Sequence, residues 1–110
     1  MTPIDLARSY YRNVNAKDIE GVLDLFTPNA TFHLPDGREV TGRESLRGMY
    51  ENVFAQGGPQ PQPVRIVADE HGAAAELEVA LADGRVLHMA SFFTLHENGL
   101  AERVAVYRRG

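Results

Sequence analysis

The apolar residues of this chain change their spacing once, at Gly57-Gly58-Pro59. Before that tripeptide they recur three and four apart, as on the buried face of a helix. After it they alternate, as on half-buried strands. Helices first and strands second imply an α+β domain with an antiparallel sheet, not alternating βαβ units.

Thr2-Pro3-Ile4-Asp5 opens the first helix, with Thr as N-cap, Pro at the first helical position and an acid in the first turn. Ile4, Ala7, Tyr11 and Val14 form its apolar stripe, with Tyr10 on the flank, and Asn15-Ala16-Lys17 ends it. A second helix turns Ile19, Val22, Leu23 and Phe26 inward, and Pro28 is expected to stop it. Ala30 to Leu34 reads as a short strand, Asp36-Gly37 as a turn and Glu39-Val40 as a brief strand. Thr41-Gly42-Arg43-Glu44 reads as a capping box for the third helix, with Thr41 as the cap and Glu44 reaching back. Leu46, Met49, Tyr50, Val53 and Phe54 form the apolar face of that helix.

Gly57 to Pro63 reads as a loop, either a lid or a plain connection. Four strands are expected after it: Val64 to Ala68, Ala74 to Ala82, Arg85 to Leu95 and Leu100 to Arg108. Asp83-Gly84 and Asn98-Gly99 supply hairpin turns. The last two strands are apolar on both faces, Met89 and Phe93 on one, Ala90 and Phe92 on the other. Helices or a ligand can cover one face, and a second copy of the chain is the simplest cover for the other.

A length of 110 residues fits a single domain over residues 1–110 with a core of its own. A hydrophobic share of 44% and a charged share of 24% exclude disorder, and the absence of Cys excludes a disulfide scaffold. Val79-Ala80-Leu81-Ala82, the longest apolar run, is too short to span a membrane, and the first residues lack the features of a signal peptide. A cytoplasmic location without membrane association is the expectation. With 11 Lys and Arg against 15 Asp and Glu, the formal charge of −4 argues against nucleic acid as a partner.

The order helix, helix, strand, helix and four-strand meander resembles the SnoaL-like, ketosteroid-isomerase-like group of the nuclear transport factor 2 superfamily. The resemblance is carried by Tyr10-Tyr11 followed by Asn15 to Glu20, by Leu25 to Pro35, by Gly42 to Leu46, and by Asn98-Gly99-Leu100 through Val106-Tyr107. It implies a curved antiparallel sheet wrapped around three N-terminal helices, a cone-shaped α+β barrel with a mostly apolar pocket, and a homodimer. It also implies a catalytic layout: a strand carboxylate that shuttles a proton, and a helix tyrosine with a protonated aspartic acid that stabilise an enolate. Tyr10 falls at the tyrosine position. Leu34 stands at the shuttle position and Ser91 at that of the second acid, so isomerase activity is not expected to be inherited.

Tyr10 can either donate to a developing oxyanion or flank the core with its hydroxyl on a backbone carbonyl. His33 is the replacement base by chemistry, yet it neighbours Leu34 in a strand and so points to the opposite face unless a bulge re-aims it. Tyr50 either orients Tyr10 or belongs to the stripe of Leu46 and Phe54. His88 is expected on the outer sheet face, and Arg108 either at the pocket mouth or in solvent. Leu34, Tyr50, Phe54, Met89, Ser91, Phe93, Glu102, Val104 and Val106 are the expected pocket lining, with Glu102 inward by its parity with Val104. His33, His71, His88 and His96 form no metal-ligand spacing, and no phosphate or dinucleotide motif occurs, so neither metal nor cofactor is expected.

Two functions fit. One is a non-catalytic binding or dimerisation module holding a small apolar molecule in the cone. The other is a cofactor-free isomerase, lyase, cyclase or hydrolase acting on an apolar carbonyl or polycyclic substrate, with Tyr10 as oxyanion donor.

Overall fold

Thr2 starts α1 (Pro3–Asn15) with a reciprocal cap in the computed structural model, which describes residues 1–109. Its hydroxyl accepts from the Asp5 amide at 3.2 Å, and the Asp5 carboxylate accepts from the Thr2 amide at 3.2 Å. The buried face of α1 includes Leu6 beside Ala7, Tyr10, Tyr11 and Val14, which leaves Ile4 half-buried at the margin. The next helix, α2 (Ile19–Leu23), is shorter than its apolar spacing suggests. Phe26 already begins β1 (Phe26–His33), so Pro28 lies inside a strand and does not stop a helix. The pairing register is interrupted between Phe26 and Thr31, where a residue without an N–H donor is tolerated.

β2 (Glu39–Thr41) pairs antiparallel with β1, Phe32 opposite Val40. Thr41 is therefore the last strand residue and does not cap α3 (Arg43–Ala55). Its hydroxyl meets that of Thr31 at 3.4 Å, and Gly42 at φ +92° takes the cap position with no side-chain bond. The expected capping box does not form. In its place the Arg43 guanidinium donates to the Phe26 carbonyl, with Nε at 3.1 Å, and fastens α3 to β1.

The remaining strands are β3 (Gln60–Ala68), β4 (Gly72–Ala80), β5 (Val86–Leu95) and β6 (Ala101–Arg109). They complete a six-stranded sheet of order β2-β1-β6-β5-β4-β3. The α+β arrangement of three helices against one sheet is as expected; because β1 and β6 run parallel, the sheet is mixed and not closed, and the antiparallel expectation is corrected at that pair. β3 begins inside the segment that reads as a loop: Gln60 pairs with Ala80 and Pro61 with Val79. It is an edge strand, so its prolines need supply no donors outward.

The helices touch both ends of this sheet, α1 at β3 and β4, α3 at β1 and β2, with α2 between them. The sheet must bend around them. Asn15 holds the end of α1 to the edge strand by donating from Nδ2 to the carbonyls of Tyr11 (2.9 Å) and Pro61 (2.8 Å). Tyr11, Phe26, Leu6, Leu46, Val22 and Val104 are the large side chains fully enclosed at the centre. No helix of the described residues is long and apolar enough to cross a membrane.

Candidate functional site

Between the helices and the inner face of the sheet lies a cavity of about 500 Å³. Most of its wall is apolar: Met49 and Val53 from α3 face Leu77, Leu87 and Met89 from β4 and β5. Two charged side chains border it among the described residues, Asp83 and Arg85. They belong to the β4–β5 hairpin and pair with each other at 2.8 Å.

A buried phenol pair stands in its wall, beside Tyr11, Ser91 and Gln56. The hydroxyls of Tyr10 on α1 and Tyr50 on α3 meet at 2.7 Å, and both residues are buried. One donates to the other, which leaves the pair a single free O–H. Either hydroxyl can donate, and the other then keeps the free O–H. Burial raises both groups, Tyr10 to about 12 and Tyr50 well above its ordinary value. Phe54 packs on Tyr50 with ring centroids 5.6 Å apart, and Phe93 stands edge-on to Tyr10 at 5.3 Å. These contacts fix both rings in place.

Tyr10, Leu34, Tyr50, Met89, Ser91 and Val106 all border the cavity. Four other expected lining residues do not. Phe54, Phe93 and Val104 are buried behind the wall. Glu102 is exposed, because β6 carries a bulge: Ala101 pairs with Leu95 and Arg103 with Thr94, so Glu102 is the extra residue. The bulge reverses the parity that would have turned it inward. His33 also lies outside the cavity, half-buried, with Nδ1 at 3.6 Å from the Glu39 carboxylate. His88 and Arg108 are exposed and away from it. Tyr11, which reads as a core residue, borders the cavity as well. Its immediate neighbour Tyr10 was the available signal, since a phenol beside a pocket phenol has a polar end to place.

His33→Ala and Leu34→Asp should therefore behave oppositely. Leu34→Asp is expected to cost about 1–3 kcal/mol of stability and to create a carboxyl of raised pKa, since partial desolvation disfavours its charge. His33→Ala should leave the affinity for an apolar fluorescent probe unchanged within about twofold. If His33→Ala abolishes probe binding, the face assignment of this strand is wrong.

The family model of the SnoaL-like domain matches residues 7–104. The epoxide hydrolase LasB of Streptomyces lasalocidi is 35% identical over 81 residues, covering 73% of this chain and 28% of that protein. The chain thus spans little more than a quarter of that relative. A crystal structure from Kribbella flavida DSM 17836, provisionally described as a ketosteroid isomerase, superposes with a TM-score of 0.86 at 25% identity, covering 96% of this chain and 76% of that one. One from Pseudomonas putida KT2440, provisionally described as a polyketide cyclase, gives a TM-score of 0.82 at 26% identity, covering 99% and 92%. A family match over nearly the whole chain, on the fold those structures share, makes this chain a member of the SnoaL-like domain family within the nuclear transport factor 2 superfamily, a family of small-molecule pockets.

Proposed function

We propose that the protein binds a neutral, mostly apolar small molecule in the cone and holds an acceptor oxygen of that molecule against Tyr10. The observation that carries this reading is the Tyr10–Tyr50 hydroxyl pair set in an apolar wall. Such a site rewards apolar area and one correctly placed acceptor. Among the described residues, an anionic ligand in the cavity has no cation to meet except Arg85, which Asp83 already engages. No imidazole borders the cavity among the described residues, and its one carboxylate sits on the hairpin. That favours binding without turnover.

Fluorene and fluorenone differ by one carbonyl and test the reading directly. Both should bind saturably, with fluorenone tighter, and Tyr10→Phe should weaken fluorenone alone. Because Tyr10 is raised to about 12, its O–H persists, and fluorenone affinity should stay flat from about pH 6 to about pH 10. Absence of saturable binding by either compound overturns the proposal.

A second reading is favoured by the similarity to an epoxide hydrolase. Water would add to one ring carbon of a strained cyclic ether as that C–O bond breaks, Tyr10 would give its proton to the ring oxygen, and the proton lost by the added water would return to the phenolate, with cofactor-free turnover. Diol formation from an apolar epoxide that disappears in Tyr10→Phe would select it.

We also propose that the outer sheet face pairs two copies of the chain. Phe92 and Tyr107, 48% and 55% exposed, pack edge-on there with ring centroids 5.8 Å apart. Across β4, β5 and β6 the rows are Ala74–Phe92–Ala105, Glu76–Ala90–Tyr107 and Glu78–His88–Arg109. A two-fold axis along β5 lays β4 of one copy over β6 of the other, so that Glu78 meets Arg109. An axis across the strands would lay β4 over β4 and gather the Glu76 and Glu78 carboxylates of both copies, which repels.

A further inference from the structure

Tyr11 is 2% exposed, and its hydroxyl has no hydrogen-bond partner. Few buried hydroxyls in folded proteins are left so, because an unpaired one costs free energy that a paired one does not. The ring is held on two sides, edge-on to Tyr10 at 5.2 Å and to Phe93 at 5.9 Å, so the hydroxyl cannot swing away to solvent. Ser91, 3% exposed, borders the same cavity on β5, two residues from the Phe93 ring that packs on Tyr11. The two hydroxyls are neighbours without a closed bond of normal geometry.

We infer that Tyr11, acting through Ser91, forms a second polar reading point in the cavity, completed by an acceptor oxygen of the ligand. Ser91 donates to a ketone, ether or ester oxygen, and its Oγ then turns a lone pair to the Tyr11 O–H. Ser91 touches the ligand, and Tyr11 is the positioning residue behind it. This rests on the proposed function and narrows it. The preferred ligand is an apolar skeleton bearing an acceptor oxygen that reaches β5, and a bare hydrocarbon of the same shape binds less well. A ligand group that can only donate gains less, because it leaves the Ser91 O–H without an acceptor.

The test is fluorene and fluorenone titrated against wild type, Tyr11→Phe, Ser91→Ala and the double variant. Each single variant should weaken fluorenone by about three- to tenfold and leave fluorene unchanged. The double variant should lose no more than either single one, since the two hydroxyls act in series. In the infrared, the carbonyl stretch of bound fluorenone should lie at lower frequency in wild type than in Tyr11→Phe. The melting temperature of unliganded Tyr11→Phe should equal or exceed that of wild type, because the variant removes an unpaired group. Equal losses for both compounds, an unmoved carbonyl band, or a lower melting temperature without ligand would assign Tyr11 to packing alone and overturn the inference. If neither compound binds wild type, it is the proposed function that fails.

Discussion

Arginine in place of Phe92 should leave the protein monomeric or aggregated on a sizing column at concentrations where wild type runs as a dimer. Phe92 sits at the middle of β5 with Ala74 and Ala105 on either side and Tyr107 on the diagonal. In a pairing about an axis along β5, each Phe92 meets its own copy, so the substitution acts twice. Losing the aromatic anchor removes a central contact of a kind typically worth about 2 kcal/mol or more, roughly a thirtyfold change in affinity. The second effect is larger. Two guanidinium groups brought together in a desolvated patch repel, and no carboxylate lies in that row to neutralise them. Glu78→Arg probes the orientation separately, because it sets like charges at both ends of the interface and should weaken pairing while sparing the fold. Wild type that sediments as a monomer at micromolar concentration sinks the proposal, whatever the variants do.

How much of this could be read from the sequence depended on whether local chemistry or long-range pairing decided the outcome. Thr2 and Asp5 cap α1 as their spacing implies, because both partners lie within one turn. Thr41 and Glu44 offer the same signal, but Thr41 is claimed by a strand pair with Thr31, which lies ten residues earlier. Tertiary pairing overrode a sound local motif. Pro28 and the prolines of β3 misled in the same way. Proline argues against a central strand, yet these sit at a register break and on a sheet edge, and neither condition is visible before the topology is known. In the site, Leu34 and Ser91 follow from strand parity, whereas Glu102 does not, because one extra residue in β6 reverses the alternation. Tyr11 escaped because an apolar stripe and a pocket wall use the same helical spacing, and only the unpaired hydroxyl separates them.

A β,γ-unsaturated ketosteroid should isomerise in the presence of this protein at a rate near buffer background, despite the similarity to a structure provisionally described as a ketosteroid isomerase. The reaction removes a proton from one carbon and returns it two carbons away, so it needs a base inside the pocket. A positioned base typically contributes about 10²–10⁴-fold, and Leu34 on the cavity wall supplies none of it. His33 cannot take over, since it faces Glu39 outside the cavity, and Glu102 is turned out by the bulge in β6. Serine holds the position of the second acid, and its hydroxyl is a weaker donor than a neutral carboxylic acid. One phenolic donor at an oxyanion is typically worth about 10²–10³-fold, and the Tyr10–Tyr50 pair has a single free O–H to offer. That stabilises a charge which nothing here generates. The absorbance of the conjugated product should therefore rise no faster with protein than without, and Tyr10→Phe should change nothing. A rate that saturates with substrate and disappears in Tyr10→Phe would mean that a proton carrier reaches the bound steroid. Asp83 would then be the residue to replace first, as the one carboxylate bordering the cavity among the described residues.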